Sequence, residues 1–368
     1  MITTAPPRLY LLDTLRGLAS LSVVIWHYQH FFYVAPGTLD PSFAIAAQPF
    51  FSVLEPFYRH GYLAVQLFFS LSGFVFFLMY LDVLAANKMG AAKFFVLRFS
   101  RLYPLHFVML LAVAAGQYVS QRIDGSFIVY PFNDAWHFFL NLMFASDWGF
   151  QKGFSFNSPV WSVSVEVLIY GLFFMFASHV VPRLGGGVVP VIGAISIAAI
   201  AQKTLPVMEL RTIASACVCF FLGGLVFVIW EVMRARPSSQ KAMLAGVAAL
   251  VCCVSIGVYV LQTPNDVIFR LVTFPAAILA LALVQSIYPM AGKATRIIGD
   301  ITYSTYLIHF PIQLAILLAV KQWGLGINFY NPIAFVGFIG AVILLSIPVY
   351  YGFELPMQKW LRGRLLAR

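Results

Sequence analysis

Apolar runs long enough to cross a bilayer as helices recur from one end of this chain to the other. No motif constrains the fold as strongly. A spanning helix needs about 20 mostly apolar residues. Inside the hydrocarbon a backbone must satisfy its own hydrogen bonds, which favours helices. Runs near 9–33, 61–81, 94–119, 158–181, 187–201, 211–233, 241–261, 267–288, 297–320 and 331–355 fit this need, with 187–201 the shortest. The stretch 134–146 is too short to span and too apolar for a free loop, so it is expected to lie in the interface or dip into it. The expected fold is all-α: a polytopic membrane helix bundle of about ten transmembrane helices. It forms one domain over residues 1–368, without internal repeats or a separate soluble domain.

Composition agrees. Only 10% of the 368 residues are charged and 61% are hydrophobic, whereas soluble domains carry about 25% charged residues. The net charge of +10 comes with no zinc-finger, helix-turn-helix or RNA-binding signature, so nucleic acid is not an expected partner. Basic loops on the cytoplasmic side explain the charge better. With the N-terminus inside and ten spans, thirteen Lys and Arg, Arg368 among them, fall on the inner side and seven on the outer, while Arg16, Arg98 and Arg101 sit within spans. Both termini are therefore expected to be cytoplasmic. Cys217, Cys219, Cys252 and Cys253 all lie in apolar runs without metal-ligand spacing and read as small buried hydrophobes. No metal site and no bound cofactor are expected. The first apolar stretch is long and contains Asp13 and Arg16, unlike a cleavable signal peptide.

A charge in the hydrocarbon costs about 2.5–3.5 kcal/mol even on the lenient insertion scale, so the intramembrane polar residues need a reason. Arg16 and His27 are eleven residues apart in the first span. That is three helical turns, which puts both on one face about 16 Å apart. Asp13 is placed to pair with Arg16. Arg98 and Arg101 share a face of the third span near its inner end, at roughly the depth of Arg16. Three guanidinium forks at that depth suit phosphate oxygens. In the fourth span Ser162 and Glu166 are one turn apart, and Glu166 is expected near the outer face at the depth of His27. A carboxylate beside an imidazole fixes its tautomer, as a general base requires. This layout serves an anionic carrier entering from inside and an acceptor hydroxyl arriving from outside.

Plainer readings stand beside these. Arg16 and Asp13 also make a structural ion pair, and Arg98 and Arg101 also serve as snorkelling anchors. Ser72 and Gly73 permit either close helix packing or a break lining a cavity. Tyr303, His309 and Trp161 are candidates to line the cavity, and Pro311 is expected to kink its helix. His30, His60, His137 and His179 read as interfacial, and Glu354 as structural.

These motifs together resemble the acyltransferase 3 family of multi-pass membrane O-acyltransferases. LDTLRGLASLSVVIWH resembles its first helix, with Arg16 and His27 in an Arg-x10-His pattern. FFSLSGF resembles the second-helix motif, and RFSRLYP the Arg-x-x-Arg-x-x-Pro element at Arg98, Arg101 and Pro104. WSVSVEV resembles the Trp-Ser-x-x-x-Glu element at Trp161, Ser162 and Glu166, and GDITYSTYLIHFPI with YGFELPM resembles the closing pair. Val167 stands where the family often has a second acid, and Leu102 where a second basic residue often follows. The resemblance implies acyl-CoA, commonly acetyl-CoA, as co-substrate and a carbohydrate, glycolipid or other hydroxyl acceptor. It implies His27 as base or acyl carrier, the arginines serving the donor, and a bacterial inner membrane as the setting. It further implies O-acetylation in polysaccharide modification, without the esterase-like domain fused to some members. A transporter or flippase for an anionic or glycan substrate is the alternative, since it too buries Arg, His and Glu.

Overall fold

A computed structural model describes residues 8–261 and 266–367; Arg368 lies outside the described residues. The main helices are α1 (Tyr10–His27), α2 (Phe51–His60), α3 (Ala64–Ala85), α4 (Ala91–Asp124), α5 (Ala135–Leu142), α6 (Trp161–Met175) and α7 (Val188–Thr204). They continue as α8 (Met208–Arg234), α9 (Ser238–Leu261), α10 (Phe274–Ile287), α11 (Thr302–Trp323), α12 (Pro332–Val349) and α13 (Leu355–Leu366). The one sheet among the described residues is a two-stranded hairpin, Tyr33–Ala35 with Thr38–Leu39.

Among the described residues, eight helical stretches are long and apolar enough to cross a membrane: Phe51–Ala85, Ala91–Asp124, Ser158–Leu184, Met208–Arg234, Ser238–Val260, Asp266–Ile287, Thr302–Trp323 and Pro332–Leu366. The other two expected spans are the 18-residue α1, which carries Asp13 and Arg16, and the 17-residue apolar α7. The α-helix of the first span stops at His27, short of residue 33, because the chain tightens into a 3₁₀ turn over Tyr28–Phe32. α5 has only 8 residues, in line with a segment too short to span. The chain is thus a polytopic helical membrane protein.

The helices gather into two compact units, each built from separated segments of the chain. The first comprises residues 1–19, 63–90 and 168–300, the second residues 20–62, 91–167 and 301–368.

In the first unit α3 crosses α8 through glycines. A Cβ on Gly73 would run into the Phe220 carbonyl, and one on Gly223 into that of Ser70. The Ser72–Gly73 pair therefore works as a close-packing spot, one of its two sequence readings. Phe74, Phe76, Phe77 and Phe220 fill the crossing and are almost fully buried. Near the start of α1, Arg8 donates to Asp13 at 2.8 Å and to Asp300 at 2.6 Å, and Arg16 pairs with Asp13 as their spacing predicts. All four cysteines are free; Cys217 and Cys219 are buried, whereas Cys253 is exposed.

In the second unit α4 packs on α11 and α13, and α11 packs on α12. Val24, Tyr28, Leu110, Phe310, Leu314 and Phe338 belong to its apolar core. Short α5 is started by Asp134, whose carboxylate accepts the His137 backbone N–H at 2.9 Å. The His137 ring spans two partners: Nδ1–H donates to Asp134 at 2.8 Å, and Nε2 accepts the Lys152 N–H at 3.1 Å. His137 is thus a buried residue that staples α5 to the loop that follows it.

Candidate active site

Three imidazoles meet in the second unit, and local geometry accounts for each. His27 ends α1, and the 3₁₀ turn that follows begins at Tyr28. In a 3₁₀ turn residues three apart eclipse, which brings His30 beside His27 with ring centroids 4.8 Å apart. His309 comes from α11, with its centroid 5.0 Å from that of His27. On α11, Tyr306, His309 and Gln313 follow a spacing of three and four residues and so share one face. All three imidazoles are buried.

The hydrogen bonds separate their roles. His27 Nδ1–H donates to the Val23 carbonyl at 3.0 Å, the oxygen one turn back in its own helix. His309 Nδ1–H donates likewise to the Tyr306 carbonyl at 2.7 Å. With Nδ1 the donor, each neutral ring keeps its lone pair on Nε2; the proton position follows from this bonding. His309 Nε2 is buried and has no hydrogen-bond partner. Among the described residues His27 also forms no hydrogen bond through Nε2. His30 differs, because both its nitrogens are engaged: by Gln313 Oε1 and by the Tyr130 hydroxyl, each at 3.4 Å. Gln313 Nε2 donates in turn to the His27 carbonyl at 2.9 Å, tying the end of α1 to α11.

Pro311 explains part of the surrounding frame. It lies inside α11 without interrupting it, but a proline has no N–H for the carbonyl four residues back. That carbonyl belongs to Leu307, and Asn157 Nδ2 donates to it at 2.9 Å. Next to Asn157, the chain brings Ser162 to Tyr306: their hydroxyl oxygens are 2.7 Å apart, and Tyr306 donates to the Pro159 carbonyl at 2.5 Å. Glu166, one turn beyond Ser162, lies within electrostatic range of the Tyr306 hydroxyl. His27 is oriented by Val23, not by Glu166, which is absent from its contacts.

The predicted arginines divide between the units. Arg16 belongs to the first, in the group with Arg8, Asp13 and Asp300. Arg98 and Arg101 lie one turn apart on α4 in the second, with Arg98 buried. Their segment of α4 is tied down from two sides. Tyr303 donates to the Leu102 carbonyl at 2.6 Å, and Arg362 donates to Ser100 Oγ at 3.1 Å and to the Leu97 carbonyl at 3.2 Å. Tyr303 thereby anchors a backbone beside the arginines. Glu354 is buried and accepts from Ser304 at 2.6 Å, in keeping with a structural role. Ser72 lies on α3 and Trp161 opens α6.

Sequence reasoning missed His30, which is buried in the cluster, together with Gln313, Tyr130 and Asn157. The spacing of His30 from His27 was a usable signal, but only for a 3₁₀ continuation of the helix. No comparable signal announced Tyr130. Among the described residues, no group of three or more His, Cys, Asp or Glu is arranged to hold a metal ion.

Comparison with known proteins adds a family. The family described as an acyltransferase domain matches residues 9–351. "Acyltransferase MdmB" of Streptomyces mycarofaciens is 28% identical over 337 residues, covering 83% of this chain and 80% of that protein. "Protein 2 in picA locus" of Rhizobium radiobacter is 34% identical over 125 residues, 34% of this chain and 53% of that protein's length. No solved structure matches.

Proposed function

The chain belongs to this acyltransferase family, and from that premise we propose that it moves an acyl group, acetyl in the simplest case, from cytoplasmic acyl-CoA to a hydroxyl of an envelope or exported carbohydrate. The observation that carries the reading is His27: a buried neutral imidazole, anchored through Nδ1–H on Val23 and presenting its Nε2 lone pair. Such a nitrogen is suited both to accept the proton of a hydroxyl and to attack a thioester carbonyl. Either way it is the group through which the acyl transfer runs.

The other residues divide the work. Arg98 and Arg101 bind the phosphates of the donor, whose oxygens match guanidinium forks. Gln313 holds the His27 backbone in register. Glu166 is a positioning residue that acts through Tyr306 and Ser162. In this reading the protein sits in a bacterial inner membrane with both termini cytoplasmic and the acceptor reached from the outer side. Acyl-CoA is a co-substrate, and no resident cofactor takes part.

The test is the base-labile acyl content of envelope glycans in cells with the protein, without it, and with His27→Ala at equal expression. The expected result is loss of the acyl groups in the last two, with the released acid identifying the donor's acyl chain. Equal content in all three would rule out a glycan acceptor.

A further inference from the structure

A transfer with a single base needs one basic nitrogen, and this site holds two. His27 and His309 have the same tautomer, each with Nδ1–H bound to a backbone carbonyl in its own helix and Nε2 left over. The third imidazole, His30, is engaged at both nitrogens and has no lone pair to offer. A buried polar nitrogen without a partner costs about 1–3 kcal/mol. His309 nevertheless has no exposure and no partner for Nε2. A histidine serving only the packing of α11 is satisfied by the Tyr306 bond and needs no second nitrogen. The unpaired atom belongs to a ring whose centroid lies 5.0 Å from that of His27, so the two rings are direct neighbours.

We infer that His309 is the general base for the acceptor hydroxyl, working with His27 as the acyl carrier; this rests on the acyl-transfer reading above. In the first step His27 Nε2 attacks the thioester carbonyl carbon. A C–N bond forms, the C–S bond breaks, and the CoA thiolate departs and takes a proton from water. His27 is then an N-acylimidazolium that still donates Nδ1–H to Val23. In the second step the acceptor oxygen attacks the same carbonyl carbon while its proton passes to His309 Nε2. The new C–O bond forms, the C–N bond breaks, and His27 returns to its neutral tautomer. His309 gives its proton back to water, so the two steps sum to thioester plus alcohol giving ester plus thiol. Because His309 acts only after the donor has left, it divides the reaction where His27 does not.

The experiment separates the two steps with acetyl-CoA as probe. The purified full chain is tested for exchange of labelled CoA into acetyl-CoA without any acceptor, which reads the first step. Hydroxamate formation from added hydroxylamine reads an acyl-enzyme captured by a nucleophile that needs no base. Ester content of the envelope glycans in cells reads the whole reaction. His309→Asn keeps an N–H near the Nδ1 position while removing the basic nitrogen, and His309→Gln provides a second variant if the first does not fold. The expected pattern for His309→Asn is exchange and hydroxamate within about threefold of wild type, with ester transfer down by 100-fold or more, the scale of general-base catalysis. His27→Ala loses all three. Parallel loss of exchange and ester in both folded His309 variants would overturn the inference, making His309 a support for His27. Ester transfer near wild type would overturn it as well. Ester formation by wild type without any exchange would remove the relay while leaving the acyl-transfer reading intact. Absence of both from wild type would sink that reading together with the inference.

Discussion

At the α3–α8 crossing of the first unit, Gly73 and Gly223 bring two backbones together, and aromatic rings fill the space on either side. Where α1 meets α11 in the second unit, the close neighbours are the imidazoles of His27 and His309, with Gln313 bridging backbone and ring. Both are buried contacts between helices in a membrane protein, where lipid gives little hydrophobic drive for helices to associate. The first answers with van der Waals packing. The second spends its buried contacts on hydrogen bonds and leaves Nε2 of His309 unpaired. Such an arrangement is a poor way to make a helix pair stable and a good way to make it reactive. The difference fits the proposal that the second unit carries the chemistry, while the first contains a closely packed crossing.

That contrast is open to direct test. The largest effect should come from His27→Ala, which is expected to lower acyl transfer by about 100- to 10,000-fold while the detergent-solubilised protein remains monodisperse with an unchanged melting midpoint. A melting midpoint that falls with the activity would recast His27 as part of the packing. Next, Arg101→Gln is expected to raise the KM for acyl-CoA by about 10- to 100-fold, the equivalent of one charge-assisted hydrogen bond, with kcat within about threefold. A fall in kcat at constant KM would place Arg101 in the chemical step instead.

The first unit should respond in the opposite way. Gly73→Val puts side-chain atoms where the Phe220 backbone stands and is expected to cost about 1–3 kcal/mol of stability, read as a lower midpoint in thermal unfolding. Activity per folded molecule should stay near wild type; a large loss would tie the α3–α8 crossing to catalysis. The smallest effect concerns the start of α5. The backbone N–H of His137 lowers the Asp134 carboxyl below the usual carboxylate range, with burial opposing and the His137 side chain adding to the lowering. A folded-state pKa below the unfolded one gives stability that is complete above the unfolded value, about 3.9, and is lost as pH falls through the folded value. Asp134→Ala should cost about 1 kcal/mol at pH 7 as a lost helix cap, and the gap from wild type should close below about pH 4. A gap independent of pH would mean that the ionised carboxylate is not what stabilises this turn.

Much of the fold was legible because it is local. The positions of the spans follow from apolar length, and the Asp13–Arg16 pair follows from a spacing of three residues. The short apolar stretch after residue 134 is likewise visible as a helix of 8 residues, too short to span. The site was legible one helix at a time. His27, Ser162 and His309 each stood out as a polar group in an apolar run, but the carboxylate expected to orient His27 was the wrong partner. Depth matching placed Glu166 and His27 at one level; it carried no information about the direction in which each side chain turns. Val23 was the better candidate on local grounds, since a helix offers its own carbonyl to a side chain one turn on. His30 was missed because the expected helix ran on to residue 33. At 100° per residue His30 would have turned away from His27, whereas the 3₁₀ turn eclipses them.

By itself the sequence determined the approximate positions of the long apolar helices, the charges among them, and the residues sharing a face, because helical periodicity and apolar length act within a dozen residues. Only the tertiary structure decided that His309 joins His27 and His30, that Gln313 locks α1 to α11, and that Asn157 takes the carbonyl freed by Pro311. These contacts join residues up to 286 positions apart. They depend on the register and rotation of one helix against another, which side-chain packing sets and periodicity alone does not encode.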